Sequence, residues 1–137
     1  MLVKDVMNSN PFVLYEEETI LYASGFMKKE RIRNLPVVSK YNRLVGLITL
    51  REIIETVFKN PDKILVGDAM IKVISTVTPE TSLKEAIEVM LTNKYGALPV
   101  IDKERNLIGM VTEADLLKTL YKFAILPDEI LKVKSKN

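Results

Sequence analysis

The chain has 137 residues, 47% of them hydrophobic and 28% charged, with a net charge of +2. This apolar fraction is enough for a packed core and argues against disorder, and so small a net charge does not indicate a nucleic-acid or acidic-membrane partner. The sequence contains no cysteine and no histidine, which removes disulfides, thiol nucleophiles, the usual general base and most zinc sites. Since there is also no signal-peptide region and no apolar run approaching about 18 residues, we expect a cytoplasmic protein.

The first half of the chain predicts a strand, a helix, two strands and a second helix, in that order. "PFVLY" is a short β-branched and aromatic run typical of a strand, and Ile20, Ala23 and Met27 then keep helical spacing. "NLPVV" and "LVGLIT" follow as two apolar strands joined by the turn "SKYNR", and a second helix is predicted over residues 50–58. "KNPDK", residues 59–63, breaks the pattern and is interpreted as the linker.

The second half predicts the same elements in the same order. "ISTVT" is the strand, and the helix after it begins with Ser82 and Glu85 in the arrangement of a capping box. The apolar face of this helix keeps helical spacing through Leu83, Ala86, Ile87, Met90 and Leu91. "LPVI" and "LIGMVT" form a hairpin across "DKERN", and a last helix is predicted over residues 113–125, ended by Pro127.

The two halves are copies of one another at a shift of 63 residues. "LVGLITLREIIETV" at 44–57 falls on "LIGMVTEADLLKTL" at 107–120, and "VKDVM" at 3–7 falls on "VGDAM" at 66–70, without a gap. One such unit would expose a sheet face that it cannot cover alone. We therefore predict an α+β fold of two β-α-β-β-α repeats packed sheet to sheet about a pseudo-twofold axis. The predicted boundaries are 1–58 and 66–122 for the repeats, 59–65 for the linker and 123–137 for a C-terminal tail, all in one globular module.

The order of these motifs resembles the cystathionine-β-synthase (CBS) domain, present here as a tandem pair. The resemblance rests on "V-x-D-x-M", on "LPVV" and "LPVI", and on the pattern Gly-apolar-apolar-Thr-x-x-acid, and it covers roughly residues 1–122. No phosphate-loop, dinucleotide or nucleophile-elbow motif accompanies it, so we expect a stand-alone regulatory pair and not an enzyme. The resemblance implies an adenosine-containing ligand between the repeats, with the threonine at phosphate and the acid at the ribose hydroxyls.

Local physics offers a second interpretation of the repeated threonine and acid. Thr49 with Glu52, and Thr112 with Asp115, fit a capping box at the start of the last helix of each repeat. The two interpretations are compatible, because a helix N-terminus also presents free amides to a phosphate.

The resemblance implies two composite clefts. The one that we call the main cleft would be built by Thr112, Asp115, Met110, Phe12, Ile32 and Arg33. The one that we call the second cleft would be built by Thr49, Glu52, Leu47, Arg51, Ser75, Tyr95 and Gly96. Arg31, Arg33 and Arg51 are the candidate phosphate ligands, while Phe12 and Ile32 also suit plain core positions. Because Glu52 stands where the family prefers Asp, we predict tighter binding in the main cleft and weaker binding in the second.

We expect no metal site and no tightly bound cofactor; the predicted ligand is AMP, ADP or ATP, the last with Mg²⁺. The alternatives are S-adenosylmethionine, an interaction module without a ligand, and nucleic-acid binding through "KKERIR" at 28–33 and "ILKVKSKN" at 130–137. The nucleic-acid alternative is disfavoured, because the basic groups are few and no aromatic platform accompanies them. Phe26, Ile53 and Leu117 exceed what one core is expected to hide, which predicts a homodimer that regulates a protein the sequence does not identify.

Overall fold

The computed structural model describes residues 1–123 of the chain, so the predicted tail and the end of the last helix lie outside the described residues. The first repeat contains β1 (Leu14–Tyr15), α1 (Ile20–Glu30), β2 (Asn34–Val38), β3 (Leu44–Thr49) and α2 (Leu50–Thr56). The second contains α3 (Val66–Ala69), α4 (Leu83–Asn93), β4 (Ala97–Ile101), β5 (Leu107–Thr112) and α5 (Glu113–Phe123). The predicted α+β class is confirmed.

Each repeat is organised around an antiparallel hairpin, formed by β2 with β3 and by β4 with β5. β1 adds to the first hairpin as a parallel strand, but it is only two residues long. The predicted counterpart "ISTVT" is reduced to a single bridge between Val77 and Val100. Ile74, in the same segment, is half-buried against the core between the repeats.

The segment that leads into each repeat crosses over to the other repeat. Val3 and Met7 pack with the core of the second repeat, whereas Val66 and Met70 belong to the core of the first. Backbone hydrogen bonds fix both crossings, with the Val3 amide donating to the Thr81 carbonyl at 2.8 Å and its counterpart Val66 donating across in the same way. We call residues 3–7 and 66–70 the leading segments. Each leading segment packs into the core of the other repeat and not into the core of its own.

The repeated glycines lie where the leading segments press against the hairpins. A Cβ at Gly109 would lie 2.8 Å from the Met7 sulfur and 2.9 Å from the Asn8 carbonyl oxygen, and a Cβ at Gly46 would clash with the Met70 side chain. Neither glycine has a positive φ among the described residues. Close approach of another segment therefore explains both glycines.

The two hairpins face one another across a shared apolar layer. Its buried members come equally from both repeats: Val38, Leu44, Leu47, Ala97, Leu107 and Met110. The hairpin turns also pair, because the Leu44 amide donates to Arg105 and the Leu107 amide donates to Asn42. This is the sheet-to-sheet packing that the duplication predicts. No helix within residues 1–123 is long and apolar enough to cross a membrane.

Candidate functional site

The repeated threonine and acid form the same cap at the start of α2 and of α5. The Thr49 amide and hydroxyl both donate to Glu52 Oε1 at 2.6 Å. The Thr112 amide and hydroxyl donate to Asp115 Oδ2 at 2.9 and 3.0 Å. The capping interpretation is therefore confirmed in both repeats, and the longer arm of Glu52 still reaches the same two groups as Asp115 does.

The two acids differ in their burial. The Glu52 side chain is buried, with 7% of its surface exposed, whereas Asp115 is half-buried. The hydrogen bonds of Glu52 use only Oε1, and no buried side-chain oxygen in residues 1–123 lacks a partner. The second carboxylate oxygen of Glu52 accepts no hydrogen bond within residues 1–123, and Glu52 lines the cavity described next.

A cavity of about 520 Å³ lies between the repeats, at the second cleft. All seven residues predicted for that cleft line it: Leu47, Thr49, Arg51, Glu52, Ser75, Tyr95 and Gly96. The remaining lining residues were not predicted: Asn34, Ile71, Val73, Ile74, Asn93, Lys94 and Ala97. The cavity is composite, because its walls come from β3 and α2 of one repeat and from residues 71–75 and 93–97 of the other.

The cavity combines an apolar wall with charged groups. Leu47, Ala97 and Ile74 belong to the apolar layer between the repeats, so one side of the cavity is a continuation of that core. Arg51 and Lys94 are exposed cations at its rim. The Arg51 guanidinium lies 3.9 Å from Glu55, but both side chains are largely exposed, and such a pair holds the guanidinium weakly.

The main cleft has different walls around the equivalent motif. By the repeat shift, Phe12, Ile32 and Arg33 take the places of Ser75, Tyr95 and Gly96. Phe12 is 51% exposed and packs edge-on against Phe26, with ring centroids 5.1 Å apart. Met110, in contrast, is buried in the layer between the repeats.

Ile32 and Arg33 line a groove of about 350 Å³ beside α1 and α2, and neither Thr112 nor Asp115 lines that groove. The structure thus gathers the second-cleft residues into one cavity, while it divides the six main-cleft residues between different surroundings.

Sequence reasoning missed Asn34 and Lys94 in particular. Asn34 is the residue before "LPVV", and its counterpart Ala97 also lines the cavity. The repeat shift could therefore have indicated Asn34 and Ala97 as a pair. Lys94 follows α4 in the left-handed conformation, with φ of 58°. No cluster of three or more carboxylates within residues 1–123 is placed to hold a metal ion.

The profile of the CBS domain family matches the chain twice, over residues 3–59 and 66–122. The matches cover most of the sequence, and the chain belongs to the CBS domain family. With two copies in succession, it is a tandem CBS pair.

Two curated relatives show how such a pair occurs in other proteins. The protein MJ1426 of Methanocaldococcus jannaschii is 29% identical over an alignment of 154 positions, and the alignment covers 88% of this chain and 91% of that protein. A homoserine O-acetyltransferase of Methanohalobium evestigatum is 34% identical over 121 residues, covering 88% of this chain but only 24% of the enzyme. The chain therefore spans about a quarter of the second relative.

Solved structures show the same fold. The CBS domain pair of protein MJ0100, in complex with 5′-methylthioadenosine and S-adenosyl-L-methionine, has a TM-score of 0.79 and 26% identity, covering 88% of this chain and 99% of that one. CBSX2 in complex with AMP has a TM-score of 0.81 at 24% identity, covering 89% and 97%. At that lower identity the second likeness concerns the fold alone.

Proposed function

We propose that the second cleft binds an adenosine-containing ligand and that the chain is a regulatory module whose state follows the occupancy of this cleft. The observation that carries the proposal is the convergence, in one cavity, of an apolar wall, the free oxygen of Glu52 and two cations. A volume of about 520 Å³ lies within the usual range for small-molecule sites. The adenosyl ligands of the related MJ0100 pair support the same ligand class.

Each part of the ligand has a complementary group in the cavity. The adenine base would lie on the apolar wall of Leu47 and Ile74, where it loses contact with water. The ribose hydroxyls would donate to the second oxygen of Glu52, in a bond strengthened by the charge of the acceptor. A phosphate would lie at the rim, between Arg51 and Lys94.

The cations at the rim favour a phosphorylated ligand. A nucleotide phosphate is attracted by Arg51 and Lys94, whereas the positive sulfonium of S-adenosylmethionine is repelled by them. We therefore propose AMP, ADP or ATP, with Mg²⁺ bound through the phosphates of ATP. Because both cations are exposed, the affinity should fall as the salt concentration rises.

We also propose that the second cleft is the principal site, which reverses the ranking predicted from the sequence. That ranking depended on the difference between Asp115 and Glu52, yet both acids cap their helices in the same way. The walls separate the clefts instead, because bulky Phe12 and Arg33 stand where the second cleft has Ser75 and Gly96.

Calorimetric titration with AMP, ADP, ATP and S-adenosylmethionine tests the proposal. Glu52→Gln keeps an oxygen for the Thr49 cap but removes the charge, and we expect it to weaken nucleotide binding by about 10- to 100-fold. The matched change Asp115→Asn in the main cleft should leave this affinity unchanged. Absence of heat for all four ligands, or loss of binding in Asp115→Asn alone, would contradict the proposal.

The exposed side of α5 supports the predicted homodimer. Leu117 is 65% exposed, and Leu120 and Tyr121 beside it are exposed as well. By contrast, Ile53 is buried and Phe26 is half-buried against the core of the first repeat, so Leu117 is the most exposed of the three residues from which the dimer was predicted. We propose that α5 carries the dimer contact, and Leu117→Asp should then convert a dimeric mass in light scattering to 15.6 kDa.

A further inference from the structure

A second concave surface lies beside α1 and α2, on the helical side of the first repeat. The basic groove, as we call it, measures about 350 Å³. Met27 and Ile53 form its buried apolar floor, and Leu50 at its side is 40% exposed. Lys28, Arg31 and Arg33 line the same groove with exposed cationic side chains: the floor is apolar and the rim is basic.

The backbone holds this rim in place. Arg31 ends α1 in the left-handed conformation, with φ of 57°, and the next amide, that of Ile32, donates back to Met27 at 3.1 Å. The Arg33 carbonyl accepts from the Leu50 amide at 2.9 Å. The segment that carries two of the three cations is therefore fixed to both helices that form the groove.

The basic character belongs to one repeat only. At the repeat shift, Lys28 corresponds to Leu91, Arg33 to Gly96 and Leu50 to Glu113. Of the three cations, only Arg31 has a cation as its counterpart, which is Lys94. The second repeat nevertheless folds in the same way, with a cap and a left-handed helix end of its own. The cations at Lys28 and Arg33 are therefore not needed for the fold.

We propose that the basic groove docks an acidic amphipathic helix of a partner protein. An apolar floor between two helices is the surface that receives the apolar face of a third helix. The cations on the rim then select acidic residues beside that face, because opposite charges across an interface determine which partner binds. None of the described residues that line the groove is aromatic, whereas base stacking by a nucleic acid would need an aromatic ring.

The basic groove and the second cleft share a wall, so a ligand in the cleft could control docking in the groove. Only this coupling rests on the proposed function; docking itself does not. Asn34 pairs with Thr49 across the hairpin, and both line the cleft. The residues next to them, Arg33 and Leu50, line the groove. Along α2, likewise, Glu52 borders the cleft and Ile53 the groove. A ligand that shifts this wall changes both surfaces, which gives the module a route to its partner.

Fluorescence anisotropy with two labelled peptides tests the docking without any nucleotide. One peptide is an amphipathic helix of about 15 residues with leucine on one face and glutamate elsewhere; the other has lysine in place of glutamate. We expect only the glutamate peptide to bind. Lys28→Glu should weaken it by about 10-fold or more, and the neighbouring change Lys29→Glu, outside the groove, should have a much smaller effect. Leu50→Ala, which changes no charge, should also weaken binding.

Each contrary result overturns a defined part of the proposal. Equal effects of Lys28→Glu and Lys29→Glu, or no effect of Leu50→Ala, would mean attraction to a basic surface without a groove site. If Lys28→Glu instead abolished self-association in light scattering, the occupant would be a second copy of this chain. Saturating AMP should change the affinity for the peptide by about 5-fold or more. An unchanged affinity, with AMP binding established by calorimetry, would overturn the shared wall as a relay.

Discussion

The two clefts contain the same polar motif in different walls. Thr49 with Glu52 and Thr112 with Asp115 make the same cap, yet Ser75, which lines the cavity beside the first pair, has Phe12 as its counterpart at the repeat shift. The duplicated motif therefore serves first to start a helix, and a ligand site depends on the side chains placed around it. The capping box is a local property of the sequence, whereas the volume of a cleft depends on both repeats at once.

Exchanging a wall residue should have the largest effect on this difference. Ser75→Phe places the bulk of Phe12 inside the cavity, and we expect nucleotide affinity to fall on the order of 100-fold, because the ring occupies the space of the ligand. The reverse change, Phe12→Ser, should not weaken binding at the second cleft. Calorimetry measures both variants, with circular dichroism as the test of folding. Parent-like affinity in Ser75→Phe would show that the ligand lies elsewhere.

The glycines beneath the leading segments allow a comparison of stability. Gly109→Ala brings a Cβ within 2.9 Å of a backbone oxygen, which cannot move without its segment, and we expect it to lower the free energy of unfolding by about 1–3 kcal/mol. Gly46→Ala meets mainly the flexible Met70 side chain and should cost less. Urea denaturation of the two variants gives both values. A larger loss in Gly46→Ala would show that the backbone contact at Asn8 is not the limiting one.

The smallest expected difference lies in the hairpin turns. Hydrogen bonds from the Asn106 side chain and amide hold the pKa of Asp102 below its usual value of 3.8. Because the pKa of Asp102 is lower in the folded state, its ionised form stabilises the fold. This stabilisation is present above the usual pKa and is lost as the pH falls through the pKa of the folded state. In the first repeat Ser39 takes the same position and does not titrate. In Asp102→Ser, the free energy of unfolding should therefore fall slightly less steeply as the pH is lowered. Denaturation at a series of pH values below about 4 tests this.

Much of the fold could be predicted because the same sequence pattern occurs in both halves of the chain. The gapless shift identified the repeats and the hairpins, and the family resemblance supplied seven of the residues that line the second cleft. The reduced strand at "ISTVT" could not be predicted, since its β-branched residues suit a strand, whereas in the structure only Val77 keeps a bridge to the hairpin.

The crossing of the leading segments was also beyond the sequence. "VKDVM" and "VGDAM" are near copies, so exchanging their places leaves every local pattern unchanged. The predicted ranking of the clefts stays a prediction. The position of Arg33, which lines the groove beside α1 and α2, was likewise not indicated by any local pattern.

The crossed leading segments have a consequence for synthesis. The core of the first repeat contains Val66 and Met70, which leave the ribosome only after all of the first repeat and the linker have been made. The core of the second contains Val3, which is made before any of the second repeat. The nascent N-terminal half must therefore wait with an incomplete core, although domains ordinarily fold in order as they emerge. Each half therefore needs a segment of the other for a complete core, and after a break in the linker only non-covalent contacts would join each hairpin to the segment that closes it.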